Sequence, residues 1–147
     1  MFDALPNSNP ETLLPNGSSA RTARARRRGR MSAFAGQAAE EIVGRQYVAG
    51  GAELLAQRWR CAEGELDLIV RQDEVLIFVE VKQRKHLNGW DSPVSPQQWQ
   101  RLEEAASRYI VTYQAETGIH PVCRFDVALV GHDGTVQIIE NARSALI

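Results

Sequence analysis

Three charged residues lie on two strand-like segments whose other residues are mostly apolar. Asp67 falls within Glu65–Arg71, and Glu80 and Lys82 fall within Val75–Lys82, which is rich in β-branched and aromatic residues. Because side chains alternate along a strand, Glu80 and Lys82 are expected on one face. Burying a charge is costly unless a partner or a metal compensates for it. A carboxylate and an ammonium at these positions therefore indicate a chemical role.

The two segments are joined by the short polar stretch 72–74, which predicts a β-hairpin. A two-residue turn there places Asp67 opposite Glu80 and Glu65 opposite Lys82, all on one face. Adjacent carboxylates repel each other and raise each other's pKa, and a divalent cation between them relieves the repulsion. Mg²⁺ binds through one or two carboxylates, so Asp67 and Glu80 form a candidate metal site.

A metal held by Asp67 and Glu80 would generate a hydroxide nucleophile and stabilise the charge that develops on a phosphate. Lys82 could orient or deprotonate the attacking water, or stabilise the transition state. A second interpretation stays open at this point. The same residues could form a buried ion-pair cluster, with Asp67 or Glu65 paired to Lys82, in an ordinary hairpin.

The elements around the hairpin predict an α/β fold in the order α-β-β-β-α-β-β, with a mixed sheet flanked by two helices. The first helix is expected from Ser32 to the Gly50-Gly51 stop, with an apolar stripe at Phe34, Ala38, Ile42 and Tyr47. The second is expected over Pro96–Glu116, with a stripe at Leu102, Ala105, Ala106, Tyr109, Ile110 and Tyr113. The remaining strands are expected over Glu53–Arg60, Cys123–Val130 and Thr135–Ile139.

Residues 1–31 are predicted to be a flexible leader, and residues 32–147 the folded domain, because the leader is rich in Pro, Asn, Ser and Arg without an apolar period. Its first 30 residues carry a net charge of +4, and the rest of the chain carries −5. Clustered arginines can neutralise phosphates, so Arg26, Arg27 and Arg28 are candidate DNA contacts. A merely solvated leader is the alternative, and the acidic body argues against broad nonspecific duplex binding.

The composition is that of an ordinary globular domain, with 147 residues of which 44% are hydrophobic and 24% charged. No apolar run approaches the roughly 18 residues that a membrane crossing needs, and the N-terminus does not resemble a secretory signal. Cys61 and Cys123 lie far apart, with no Cys or His at ligand spacing. A reduced, cytoplasmic protein without a zinc site is therefore expected.

The chain resembles the bacterial YraN family of endonuclease-like proteins in four segments: GQAAEE (36–41), GELDLIV (64–70), FVEVKQR (78–84) and CRFDVALV (123–130). That family belongs to the restriction-endonuclease-like, or PD-(D/E)xK, superfamily, which includes archaeal Holliday-junction resolvases. The resemblance covers about residues 33–142. It implies an αβββαβ core, dependence on Mg²⁺ or Mn²⁺, and a DNA phosphodiester substrate, with branched or processed DNA as the expected target.

Residue by residue, the resemblance matches Asp67 to the metal-binding aspartate of the superfamily. It matches Glu80 to the acid of (D/E)xK and Lys82 to its lysine. Glu65 and Arg84 match further characteristic positions of the family. We assign Glu65 to the catalytic group and Arg84 to DNA contact.

Two departures from the family pattern concern the surroundings of this site. The family usually has Gly-Glu where this chain has Gly36-Gln37, and either Glu40 or Glu41 could replace that acid, although only one can face the sheet. In the family, the second helix usually opens with a lysine at the position of Gln98 or close to it. We place Gln98 itself among the candidate DNA contacts. These departures keep open a degenerate nuclease fold that binds nucleic acid or a protein without cleavage. A homodimer through the apolar second helix is a further expectation.

Overall fold

The computed structural model of the protein describes residues 17–85, 87 and 93–143, apart from the side chains of 17–19 and 31–34. The elements are α1 (Gly17–Ala49), β1 (Glu53–Cys61), β2 (Gly64–Gln72), β3 (Val75–Arg84), α2 (Pro96–Thr117), β4 (Val122–Gly131) and β5 (Val136–Ile139). Their order is the predicted one. Chain contacts divide the protein into two units, Met1–Phe34 and Ala35–Ile147.

In the first unit, the described residues are helical. Helix α1 begins at Gly17, so the helix start predicted at Ser32 is wrong, and residues 17–31 of the predicted leader are helical. Residues 20–30 are exposed throughout. A helix is recognised in a sequence by the apolar period of its buried face. This segment buries no face, and it forms a helix because alanine and arginine are strong helix formers. The remainder of the predicted leader, 1–16, lies outside the described residues.

The second unit contains a mixed five-stranded sheet in the order β1-β2-β3-β4-β5. Strands β3 and β4 are parallel, and the other neighbouring pairs are antiparallel. One face packs on α1 and the other on α2, each through its own buried apolar cluster. Strand β3 lies in the middle with both faces covered, which is why Val75–Val79 is a continuous apolar run. This α/β architecture is the predicted one and is compatible with a restriction-endonuclease-like core.

Helix α2 has defined ends. The Ser95 hydroxyl accepts a hydrogen bond from the backbone N–H of Gln98 at 3.1 Å, and Pro96 occupies the first turn. Gly118 ends the helix with a left-handed φ of 70° and donates its N–H to the carbonyl of Gln114 at 2.8 Å. The predicted apolar stripe is confirmed and is buried against the chain's own sheet. The stripe that suggested a homodimer is therefore already covered.

The predicted apolar stripe of α1 is only partly confirmed. Tyr47 is buried, but Ala38 is exposed and Ile42 is 37% exposed, while the side chain of Phe34 lies outside the described residues. Ala39 and Val43, one position further along, face the sheet instead. None of the helices in the described part of the chain has the length and apolar character that a membrane crossing requires.

The predicted register of the β2–β3 hairpin is confirmed over the described ladder. Backbone pairs run from Leu68–Val79 to Gln72–Val75. The ladder therefore ends at Leu68, next to Asp67, and Asp67 does not form the predicted backbone pair with Glu80.

Strand β2 changes faces at Asp67. Leu66 packs in the cluster under α2, whereas Leu68 packs in the cluster under α1. In a regular strand, residues two positions apart share a face. The alternation of Leu66, Leu68 and Val70 in the sequence predicts one common face for them, and this is wrong at Leu66, because Asp67 lies at a local irregularity of the strand.

A buried carboxylate on β4 ties α1 to the turn after β5. Asp126 is fully buried. Its oxygens accept hydrogen bonds from the Tyr47 hydroxyl at 2.7 Å, the Arg124 Nε at 3.0 Å and the Asn141 backbone N–H at 3.0 Å. These donors compensate for the loss of water on burial.

We predict that Tyr47→Phe destabilises the protein, because it leaves a fully buried carboxylate with one donor fewer. The free energy of unfolding, measured with urea, should fall by about 1–3 kcal/mol. Val111→Ala, at a 67% exposed position of α2, is the control and should change it by less than about 0.5 kcal/mol. Equal unfolding midpoints for Tyr47→Phe and the unaltered protein would contradict this role of the hydroxyl.

Candidate active site

The irregularity of β2 directs the Asp67 side chain toward β3. Its Oδ2 accepts the backbone N–H of Val81 at 2.9 Å. In a regular ladder that N–H would bond a backbone carbonyl of the neighbouring strand. The Asp67 carboxylate thus substitutes for the backbone at the end of the β2–β3 ladder, and this places it beside Glu80.

Glu80 brings a second carboxyl group into the same buried region, with 8% of the residue exposed. Its Oε1 accepts from the Gln98 side-chain amide at 2.9 Å and lies 3.3 Å from the Lys82 Nζ. Gln98 reaches Glu80 because it lies in the first turn of α2. Lys82 therefore pairs with Glu80, and the ion pairs with Asp67 or Glu65 that were the alternative at the sequence level do not form.

Burial and mutual repulsion govern the protonation of Asp67 and Glu80. Burial, followed by the charge of Asp67, raises the pKa of Glu80 to about 8, and the ammonium of Lys82 only partly opposes this. Burial also raises the pKa of Asp67, although the N–H of Val81 favours its ionised form. The charge of Asp67 thus favours the protonated form of Glu80, and a proton on Glu80 relieves the repulsion between the two groups at neutral pH.

The donor set fits a hard divalent cation. The hydrogen bonds from Val81 and Gln98 and the ion pair with Lys82 engage one oxygen of each carboxyl group, Asp67 Oδ2 and Glu80 Oε1. The second oxygen of each group is available for a proton or for a cation. Among residues 17–85, 87 and 93–143, no three His, Cys, Asp or Glu side chains converge into a metal cage. Two carboxylates completed by water or phosphate oxygens suit Mg²⁺ or Mn²⁺ rather than Zn²⁺.

Further acids flank the pair. Glu65 belongs to the predicted group, and its Oε2 lies 3.0 Å from the Arg60 Nε on β1. Glu40, from α1, bonds Arg58 at 2.7 Å and lies within electrostatic reach of Asp67, whose charge contributes to raising the pKa of Glu40 after burial itself.

The structure decides which first-helix acid faces the sheet. The Glu40 side chain is 14% exposed, whereas the Glu41 side chain is 60% exposed and pairs with Arg45 along the helix. Gln37, where the resemblance led us to expect a glutamate, is exposed. Glu40 is therefore the acid that α1 contributes.

The predicted DNA-contacting residues divide into two groups. Gln98 lies inside the site and bonds Glu80. Arg84 is exposed at the end of β3, where it donates to the carbonyls of Gln83 at 2.9 Å and Pro93 at 3.4 Å. Arg26, Arg27 and Arg28 are exposed on the part of α1 that belongs to the first unit. Contact of these residues with DNA stays a prediction.

Sequence reasoning missed two kinds of site residue. The backbone N–H of Val81 carries no side-chain signal, so nothing in the sequence identified it. Arg58 and Arg60, which pair with the flanking acids Glu40 and Glu65, alternate with apolar residues on β1. That alternation was a usable signal, because two arginines two positions apart on a strand share a face.

Residues 39–130 match the model of a family described as uncharacterised protein family UPF0102. The chain belongs to this family. A UPF0102 protein of Cereibacter sphaeroides is 43% identical over 117 residues, covering 80% of this chain and 98% of the relative. One of Roseobacter denitrificans is 41% identical, covering 79% and 88%. One of Gloeobacter violaceus is 44% identical over 107 residues, covering 69% and 82%.

The segment that matches the UPF0102 family contains Glu40, Asp67, Glu80, Lys82 and Gln98. The site therefore lies within the part of the chain that defines the family. The descriptions of the relatives name no activity, so the function has to be argued from the site.

We predict that the metal-free protein loses stability as the pH rises. The pKa of Glu80 is about 8 when folded, against 4.5 as the ordinary value, so between these values the folded state binds more protons than the unfolded state. Stability conferred by that proton is complete below about pH 4.5 and is lost as the pH approaches 8. Glu80→Gln removes this titration.

Differential scanning calorimetry in the presence of a chelator tests this prediction. Between pH 5 and pH 8.5, the midpoint of the unaltered protein should fall relative to that of Glu80→Gln by on the order of 5 °C. Glu116→Gln, at an exposed position near the end of α2, should follow the unaltered protein. Parallel curves for Glu80→Gln and the unaltered protein would mean that Glu80 is ionised at neutral pH.

Proposed function

We propose that this protein is a metal-dependent endonuclease of the PD-(D/E)xK superfamily that hydrolyses phosphodiester bonds in DNA. One observation carries the proposal. The half-buried Asp67 and the buried Glu80 repel each other electrostatically on strands that are otherwise mostly apolar, and Lys82 lies 3.3 Å from Glu80. A fold gains no stability from placing two carboxyl groups together in its interior, so their arrangement is explained best by a cation that binds between them.

In this proposal, Asp67 and Glu80 hold Mg²⁺ or Mn²⁺ through the oxygens that the surrounding residues leave free. When bound, the metal activates a water molecule and stabilises negative charge on the scissile phosphate. The N–H of Val81 keeps Asp67 ionised and oriented. The amide of Gln98 holds Glu80 in a fixed rotamer, so the ligand pair is pre-organised.

Lys82 is the proposed cationic partner of the substrate. Its side chain is 23% exposed, so it can meet a phosphate while it stays next to Glu80. An ammonium there stabilises charge that develops on the non-bridging oxygens and orients the attacking water. Glu65 and Glu40 lie at the edge of the site, where they can accept hydrogen bonds from ordered water.

Arg84, and Arg26, Arg27 and Arg28 of the leader, are the proposed contacts to the DNA backbone. The acidic body disfavours uniform binding along a duplex. Branched or processed DNA structures are therefore the proposed substrates. A reduced, cytoplasmic location fits this substrate and the free thiols of Cys61 and Cys123.

One observation favours a second candidate function, a nuclease fold that binds nucleic acid or a protein without cleaving. Gln98 replaces a lysine that the family usually has, and its neutral amide is engaged by Glu80. The site thereby lacks one phosphate-binding cation. Glu40 favours the nuclease function instead, because it supplies an acid near Asp67 in place of the acid that is missing at Gln37.

A cleavage assay tests the two functions. The purified protein with Mn²⁺ is offered linear, nicked, flapped and four-way DNA. We expect cleavage of the branched forms and a loss of about 100-fold or more in rate for both Glu80→Gln and Lys82→Ala. Glu116→Gln is the matched control, because it lies about 27 Å from Gln98 along the axis of α2.

Cleavage that persists at full rate in Glu80→Gln would mean that another site or a contaminating nuclease is responsible. DNA binding without cleavage in any metal would favour the second candidate function.

A further inference from the structure

Arg58 has an unusual backbone conformation in the middle of β1. Its φ is 49°, in the left-handed region that glycine and asparagine tolerate and other residues rarely adopt. The ladder between β1 and β2 passes directly from Trp59–Leu66 to Gln57–Leu68. The ladder is therefore interrupted at the pair Arg58–Asp67 without a change of register, whereas the register shift between the two strands lies between Leu54 and Ala56. Both strands are irregular at the level of the proposed metal site.

The interruption redirects the Arg58 side chain, as strand irregularities commonly do. Its Nε lies 2.7 Å from Glu40 Oε2, and the side chains are 31% and 14% exposed. This pair joins β1 to α1 beside Asp67. A strained backbone residue persists when the surrounding contacts enforce it, and such residues concentrate at functional sites.

Each of the acids around Asp67 has a cation of its own. Lys82 pairs with Glu80, Arg60 with Glu65, and Arg58 with Glu40. The Arg60 pair is open to water, with the arginine side chain 75% exposed, and is therefore well screened. The Arg58 pair is less exposed. Its guanidinium also lies within electrostatic reach of Glu65 and Asp67.

We propose that Arg58 is a built-in counter-cation of the metal site, which holds Glu40 beside Asp67 and offsets the negative charge by which Glu40 would attract a divalent metal. The inference rests on the proposed function. Arg58 acts through Glu40 and is a positioning residue. Its positive charge reduces the repulsion among the acids of the metal-free site. It thereby raises the metal concentration at which the site is half occupied.

Calorimetric titration with Mn²⁺ tests this inference on the full chain. Arg58→Gln leaves the Glu40 carboxylate without its counter-charge, so the attraction of the site for a cation rises and the Kd for Mn²⁺ should fall by about five-fold or more. Because that carboxylate is absent in a Glu40→Gln background, Arg58→Gln should change the Kd less than two-fold there. An unchanged or raised Kd for Arg58→Gln, or an equal gain in both backgrounds, would overturn the inference.

Arg58→Asn separates charge from backbone strain. Asparagine tolerates the left-handed conformation, so this variant should melt at a higher temperature than Arg58→Gln and yet bind Mn²⁺ with the same Kd. A Kd that differs between the two variants would mean that the backbone conformation, and not the guanidinium, sets the affinity, which contradicts the proposal.

Asp67→Asn distinguishes a failure of the proposed metal site from a failure of the role proposed for Arg58. If it abolishes a Mn²⁺ signal that the unaltered protein gives, the proposed site stands, and an unchanged Kd in Arg58→Gln overturns only the role of Arg58. If the unaltered protein binds no Mn²⁺, or binds it equally well with Asp67→Asn, the proposed metal site and the inference both fail.

Discussion

Two carboxyl groups that lie side by side in the interior of a sheet impose the constraint on which the rest of this structure depends. Burial removes the water that stabilises each anion, and the neighbouring anion adds repulsion. Asp67 and Glu80 meet both conditions, and the pKa of Glu80 rises to about 8 as a result. Three groups partly stabilise the two anions, and the unfavourable free energy of burying them is reduced but not removed. They are the N–H of Val81, the amide of Gln98 and the ammonium of Lys82. A proton at neutral pH, or a divalent cation in the proposed function, supplies what these donors leave unbalanced.

The fold creates this pair through local departures from regular geometry. Strand β2 changes faces at Asp67, where the β1–β2 ladder lacks one pair and beyond which the β2–β3 ladder does not extend. The interruption frees the N–H of Val81 for a carboxylate and turns Arg58 toward Glu40. The capped start of α2 then brings Gln98 onto Glu80. The regular backbone hydrogen bonding of the sheet is therefore lost where the side chains of the candidate site converge, as is common at functional sites.

Sequence reasoning predicted every strand, helix α2 and the hairpin register, because period-2 alternation, turn residues and helix caps are local signals. That register also brought Asp67 close to Glu80, although the backbone pair predicted between them does not form. The start of α1 at Gly17 was not predicted, since an exposed Ala/Arg helix has no apolar period. The burial of Leu66 under α2 and the choice of Glu40 over Glu41 depend on how the chain packs in three dimensions. The partner of Gln98 likewise becomes visible only when α2 is placed on the sheet.

The central claim is that Asp67 and Glu80 form a site for a divalent cation. A crystal soaked in Mn²⁺ and measured at a wavelength where manganese scatters anomalously tests it most directly. The account predicts one strong anomalous peak between the two carboxyl groups, at about 2.0–2.2 Å from an oxygen of each, since Mn²⁺ takes positions that suit Mg²⁺. A map without a peak between Asp67 and Glu80 at saturating Mn²⁺, with both side chains in their present positions, would contradict it.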